Sequence, residues 1–216
     1  MIKLKDLLDI NKITYSSDVI STHQKKMNKS TDIISDINLP YSPFPENSNR
    51  KTISELEFLI NYNNNQINKD FVKKGDDILK VFKDYCGDNN LEFDNKYYKK
   101  VLDESSKTIL QLKYYYNRPR PYQLAEYYGL KKFEDFELGS MKTPSYPSGH
   151  STQGHLMAEL LGVKYNGHYD RFKGLADMIS ASRLMARAHY PSDIEFGEKV
   201  SKYIFNNING SKLWKK

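Results

Sequence analysis

Between Thr52 and Phe205 the apolar residues recur every three or four positions, and no stretch alternates convincingly at every second one. A 3.6-residue period lines one stripe of a helix, whereas a half-buried strand needs a period of two. The chain therefore reads as all-α, a bundle in which stripe packs on stripe. Thr52-Ile-Ser-Glu55 has the form of a capping box and opens a helix with Ile53, Leu56 and Ile60 on one face. A second helix is predicted over 69–85 on the stripe Phe71, Ile78, Leu79 and Phe82, with Gly87 just past its end. A third covers 94–116 through Val101, Leu102, Ile109 and Leu112. The Arg-Pro-Arg-Pro run at 118–121 stops it, because a proline bars the residue before it from helical geometry. A short helix over 121–128 ends at Gly129, and 130–147 reads as a loop. Three more helices follow. One runs from Ser148 to about Leu161. The next covers 169–188, with Phe172, Leu175, Ile179 and Ala186 inward. The last starts at a second capping box, Ser192-Asp-Ile-Glu195, and runs through Phe205.

The first fifty residues carry Ser, Asn, Asp and Pro clusters, ending in LPYSPFPENSN, and read as an irregular wrapping arm with room for one short helix near its start. The 216 residues suffice for one domain with a buried core, so 1–216 is taken as a single helical domain with 1–50 as its arm. A net charge of +6 suits an anionic substrate. It would also suit nucleic acid, but the lysines are spread evenly and no dense basic run has aromatics interleaved, so nucleic acid is not the expected partner. Cys86 is the single cysteine, which rules out an intrachain disulfide. The opening MIKLKDLLDINKITYSS is broken by Asp9 and Asn11, too early for a signal-peptide core, and no stretch is apolar enough to span a bilayer. These features lead to the expectation of a soluble, cytoplasmic or otherwise intracellular protein without a membrane span. The oligomeric state stays open, a homo-oligomer included.

Three segments carry chemistry. Lys113 and Arg120 sit at and just past a helix end, where two cations can converge on one anion. Alone, such a pair more often serves the helix dipole. Pro147-Ser148-Gly149-His150 opens a helix. Its unpaired amides attract anions, Ser148 can both cap and donate, Gly149 admits close approach, and His150 would lie beside a bound anion. Alone, it is equally an ordinary capped helix with a surface histidine. In Ser182-Arg183…His189…Asp193, Asp193 follows His189 by four residues and can hold its Nδ1 proton. Nε2 would then be unprotonated and aimed outward, as a nucleophile must be. His23, His155 and His168 belong to no motif and read as structural or surface residues, His155 being near enough to His150 to edge the site. No Cys/His metal spacing or glycine-rich nucleotide loop is present, so neither metal nor cofactor is expected.

Together these segments fill every specified position of the signature K-x6-R-P, P-S-G-H and S-R-x5-H-x3-D. In this the chain resembles the type 2 phosphatidic acid phosphatase (PAP2) superfamily. Over about residues 52–205, and in the stretch SYPSGHSTQGH, it looks most similar to the soluble bacterial class A nonspecific acid phosphatases. The resemblance implies phosphate-monoester hydrolysis without a metal. Lys113, Arg120, Ser148, Gly149 and Arg183 would bind phosphate, and His189 would attack to form a phosphohistidine. Asp193 would orient His189, and His150 would act as general acid and base. Class A enzymes usually carry glycine two residues before the nucleophile; here it is Arg187, an extra cation expected to touch substrate or narrow the pocket. Class A enzymes are also typically exported, whereas no signal is read here. Two alternatives remain at this stage. One is a vanadium-dependent haloperoxidase, since vanadate fits the same cradle. The other is a non-catalytic basic protein that binds phosphate or nucleic acid.

Overall fold

The computed structural model describes residues 9–35, 38, 40–62, 67–130 and 138–209. Among them the fold is all-α, in nine helices. These are α1 (Ser21–Met27), α2 (Arg50–Asn61), α3 (Lys69–Lys74), α4 (Ile78–Asp88), α5 (Asn95–Tyr116), α6 (Pro121–Tyr127), α7 (Gly149–Lys164), α8 (Tyr169–Met185) and α9 (Pro191–Asn206). Single turns of 3₁₀ helix lie at Gly139–Met141 and Asn166–His168. The ends are set by local chemistry. Asn49, Asn68, Asp77, Asp94 and Ser148 each cap a helix by accepting a hydrogen bond from an amide in its first turn. Pro121 and Pro191 sit at first helical positions, where no amide is needed.

Helix α7 is the centre of the molecule. Residues around most of its circumference are buried, from Ser151 and Thr152 to Leu156, Met157, Leu160 and Leu161, as expected of a helix enclosed by others rather than lying on a surface. Two glycines let its neighbours come close. A Cβ at Gly154 would fill the space up to the Ala176 backbone of α8, 3.5 Å away, and one at Gly197 of α9 would lie 2.9 Å from the Ser148 carbonyl. The core continues through Phe82, Val101, Leu112, Phe172, Ile179, Phe196 and Val200, drawn from α4, α5, α8 and α9.

The arm wraps this bundle along α5. Glu104 accepts from the amides of Ile33 and Ile34, and both isoleucines enter the core. Ile34 also pairs with Ile208 in an isolated antiparallel bridge. Further along, Ser42 donates its amide to Tyr116, and Asn47 donates to the carbonyls of Ile10 and Ile13. The start of the arm lies outside the described residues; its described helix is α1.

Several boundaries differ from the sequence reading. Neither predicted capping box forms. Helix α2 starts two residues early, on Asn49, so Thr52 and Glu55 fall inside it; Thr52 is buried and donates to the Glu46 carbonyl. At α9 the pair that closes is Tyr190 with Asp193, whose carboxylate accepts the Tyr190 amide, while Glu195 is solvent-exposed. The helix predicted over 69–85 is two helices, broken at Gly75-Asp76-Asp77 because Asp77 caps a new start. Gly87 lies inside α4 rather than beyond it, and the seventeen-residue α8 stops at Met185 rather than Ala188. Of the stripe assigned to α8, Leu175 is only half-buried.

Gly197→Ala should lower thermal stability. Its new methyl group meets backbone and the Ser151 side chain at 2.9–3.1 Å, and neither can move without shifting the start of α7. Overpacking of this kind costs about 1–3 kcal/mol, readable as a lower melting temperature by calorimetry.

Candidate active site

Asp193 is fully buried in the first turn of α9. Its Oδ1 accepts from Arg118 Nη1 at 2.6 Å. Its Oδ2 accepts from the Ser145 hydroxyl, from the Tyr190 amide at 3.0 Å and from His189 Nδ1 at 3.2 Å. Burial alone would raise its pKa; the Arg118 guanidinium and the bonds from His189 and Ser145 outweigh that and hold the carboxyl well below the usual carboxylate range. Arg118 is itself buried, donates to Glu55 Oε2 at 3.2 Å and to Ser192 Oγ at 2.8 Å, and stacks on Tyr190 with its carbon 3.8 Å from the ring centre. Glu55 completes the cluster by accepting from Ser192 through both its amide and its hydroxyl.

On its other side His189 receives a hydrogen bond at Nε2 from Arg120 Nη1 at 3.0 Å. An arginine N–H can only donate, so Nε2 carries the lone pair and Nδ1 carries the proton that goes to Asp193. The tautomer is the one the sequence reading required. The direction differs in part: Nε2 is not aimed at open space but covered by Arg120, and His189 is only 3% exposed. Burial depresses the His189 pKa, and Arg120 and Lys113 push it lower against Asp193, so the ring stays neutral into the acid range.

The two cations beside His189 lack carboxylate partners. Lys113, buried in the last turn of α5, donates to the carbonyls of Pro144 and Ser145. Arg120 donates to the carbonyls of Thr143, Ala188 and Ser140 and to the Thr143 hydroxyl. Burial, and then each other's charge in the case of Lys113, lowers both pKa values: Lys113 well below the usual lysine range, Arg120 to about 10. Asn117 makes the geometry possible. In left-handed conformation (φ 48°) it ends α5 with its amide on the Lys113 carbonyl, and the chain then runs extended into α6, carrying Arg120 back beside Lys113.

A second half of the site is built at the start of α7. The Ser148 amide donates to the Asp193 carbonyl at 3.0 Å, which ties this segment to the His189 strand of chain. Ser148 caps α7 by accepting the amides of Ser151 and Thr152 on its hydroxyl and carbonyl, leaving those of Gly149 and His150 as the helix's unpaired donors. A Cβ at Gly149 would lie 3.9 Å from Lys113 Cε, so these amides adjoin the cation pair. His150 Nε2 lies 3.1 Å from Asp76 Oδ1, and Arg183 Nη1 donates to the same oxygen at 2.6 Å. Arg183 also donates to the Val72 carbonyl and the Ser182 hydroxyl and is wholly buried. The bond from His150 lowers Asp76 to about 2, against burial and with help from Arg183. Burial lowers the His150 pKa, with Arg183 adding to it and Asp76 opposing.

All eight residues singled out from the sequence thus fall into one region, in two halves joined through Ser148, Gly149 and Asp193. Arg187 behaves otherwise than expected. Its backbone takes φ 52°, the left-handed region where glycine is unstrained, and its guanidinium donates to the Leu59 and Ile60 carbonyls at the end of α2. His155 bonds Ser151 and Asp177, His23 bonds Tyr114, and His168 bonds Tyr85, all away from the cluster. Sequence reasoning missed Arg118, Glu55 and Asp76. Arg118 lies between Asn117 and Pro119, outside the spaced motif positions, and Glu55 was read as a cap. Asp76 lay inside a predicted helix, although Gly75 before it signalled a break. Gly75 packs so tightly on Ser182 that any side chain there would collide, and this approach delivers Asp76 to Arg183.

Among the described residues no three His, Cys, Asp or Glu side chains are grouped to hold a metal ion, and no helix is long and apolar enough to cross a membrane. Residues 102–203, which contain all three motifs, match the family model of the PAP2 superfamily. No curated protein matches the chain.

Two substitutions should move stability in opposite directions. Arg118→Met strands Asp193 and Glu55 as buried carboxylates without a cation, and should cost about 3–5 kcal/mol. Lys113→Met should raise the melting temperature at neutral pH. Folding lowers the lysine's pKa, so any stability it lends is present only above its ordinary value and is lost as pH falls; at pH 7 the buried charge is a cost. Thermal melts of both variants without added phosphate check the pair of signs.

Proposed function

We propose that the chain is a metal-independent phosphomonoester hydrolase, acid phosphatase in type, in which His189 attacks phosphorus. One observation supports this above the others: Lys113 and Arg120 are buried against a neutral imidazole with only carbonyl and hydroxyl acceptors, so neither has a carboxylate on its donors. A phosphate oxyanion supplies the missing charge and takes over their donors. Phosphoryl transfer needs mainly positioning and charge stabilisation, and two or three cations with helix-start amides provide both. The nearby carboxylates are already committed, Asp193 and Glu55 to Arg118 and Asp76 to Arg183, which leaves them poorly placed to recruit a divalent metal.

The steps follow from the hydrogen bonds. As Arg120 turns from His189 to a phosphate oxygen, the Nε2 lone pair is released toward phosphorus. The N–P bond forms while the P–O bond to the alcohol breaks, and Asp193 holds the charge that develops on the ring. Protonated His150 gives its proton to the departing alkoxide. Neutral His150 then takes a proton from water, whose oxygen displaces His189 and yields inorganic phosphate. Ser148, Gly149 and Arg183 complete the cradle around the equatorial oxygens.

The decisive measurement is the covalent intermediate. Brief exposure to a labelled phosphomonoester followed by alkaline quench should leave label on the peptide containing His189, because a phosphoramidate survives base. Label on serine or aspartate, or none, would overturn the mechanism. Chelators should leave turnover intact and vanadate should inhibit; peroxide-dependent halide oxidation with bound vanadate would favour a haloperoxidase instead.

The pH profile tests His150. Its depressed pKa confines the protonated acid to low pH, while burial beside Arg120 and Lys113 lowers the pKa of His189 and keeps the nucleophile neutral into the acid range, so the optimum should be acidic. Asp76→Asn removes the carboxylate that favours the imidazolium and leaves Arg183 facing His150. The alkaline limb of kcat/KM should therefore move to lower pH, most clearly for alkyl phosphates, whose leaving groups need the proton. An unchanged limb would show that Asp76 does not support His150.

A further inference from the structure

A cavity of about 470 Å³ opens beside the cradle between the α3–α4 break, α5 and the start of α7. Of the residues assigned above, only His150 and Asp76 line it; Lys113, Arg120, Arg183 and His189 do not. In the proposed reaction the alcohol oxygen lies at His150, so the body of the alcohol must extend into the space that adjoins His150 away from the cations. This cavity is that space.

Its walls select a kind of alcohol. Lys73 on α3, and Lys99 and Asp103 one turn apart on α5, are exposed at its edge and have no hydrogen bond or ion pair within the chain among the described residues. Ser106 and Gln153 add polar groups deeper in, held in place by the Leu102 carbonyl. The apolar part is limited to Ile78, Leu79 and Leu102, and among the described residues no Phe, Tyr or Trp lines the cavity. Two acyl chains would have too little apolar wall, and a nucleobase would have only the His150 ring, already bonded to Asp76, to stack on. A carboxylate can accept two neighbouring hydroxyls at once, and lysines can donate to others, while the leucines cover the C–H face of a small ring.

On the basis of the phosphatase reading, we infer that this cavity is the leaving-group subsite and that it selects phosphomonoesters of polyhydroxylated alcohols, such as sugar phosphates, through Asp103 and Lys99. The test compares kcat/KM for a hexose phosphate, p-nitrophenyl phosphate, a nucleoside monophosphate and a short-chain phosphatidate on the full chain and on Asp103→Ala and Lys99→Ala. Both positions are exposed on α5, so the variants should fold, and an unchanged melting shift with inorganic phosphate verifies the cradle. Asp103→Ala should lower kcat/KM for the hexose phosphate by about tenfold or more, the worth of a hydrogen bond to a charged group. With p-nitrophenyl phosphate the change should stay within about twofold, since that leaving group has no hydroxyl to present. Equal losses on both substrates would overturn the subsite, and so would a wild-type preference for the phosphatidate or the nucleotide. If p-nitrophenyl phosphate is turned over and phosphate stabilises the protein, such a result removes the subsite alone. If neither occurs, the phosphatase reading falls and the subsite with it.

Discussion

The site depends on one buried carboxylate. Asp193 accepts from Arg118 before α6, Ser145 in the loop before α7, the Tyr190 amide and the His189 ring, while its own carbonyl receives the Ser148 amide. Three short stretches of chain, at Arg118, at 145–148 and at 189–190, are therefore registered against a single residue. An ionised group so deep in the protein persists because every oxygen is satisfied and because Arg118 supplies the opposing charge. Glu55 extends the same logic to α2, so the orientation of His189 is fixed through the packing of the whole bundle rather than by its own loop.

A contrast in pairing separates what holds the fold from what the proposed chemistry uses. Arg118 has two carboxylates and an aromatic face, and it is a structural cation. Lys113 and Arg120 have only carbonyls, a hydroxyl and an imidazole on their donors, which leaves their charge only partly offset, by Asp193 behind the ring, in a medium where that is costly. A fold optimised for stability alone would replace them with apolar residues. Their retention in the core makes sense as preorganised charge awaiting an anion, the usual exchange of stability for function.

Much of this was legible in the sequence because the motifs are local. A four-residue spacing from His189 to Asp193, a capping serine before Gly149 and a proline after Arg120 each fix geometry within a turn or two, and those expectations match the hydrogen bonds found. The helix period likewise gave the all-α class. The missing pieces depend on distant partners. Glu55 looks like a capping residue until α9 brings Ser192 to it, and Asp76 looks like a surface acid until Gly75 lets α3 close on α8. The misplaced capping boxes share a cause: the S/T-x-x-E pattern does not by itself start a helix, and an earlier start took precedence, on the Asn49 cap at α2 and on Pro191 with the Asp193 carboxylate at α9. Arg187 shows another limit: the departure from glycine was read for its charge, whereas the structure shows a left-handed backbone and a guanidinium that donates to the end of α2.

In the proposed reaction the two halves of the site should respond differently to an incoming phosphate. Beside His189, the anion competes with neutral acceptors for Lys113 and Arg120, and a dianion wins that competition easily. Beside His150, it competes with Asp76 for Arg183, charge against charge, so the gain there is smaller. Affinity for phosphate should then reside mainly with Lys113 and Arg120. The Arg183–Asp76–His150 chain does something else: any shift of Arg183 toward the phosphate weakens its hold on Asp76 and leaves that carboxylate freer to stabilise a protonated His150. Binding of the anion and readiness of the acid would thus be coupled through one carboxylate, and the acid would be best supported when there is an alkoxide for it to protonate.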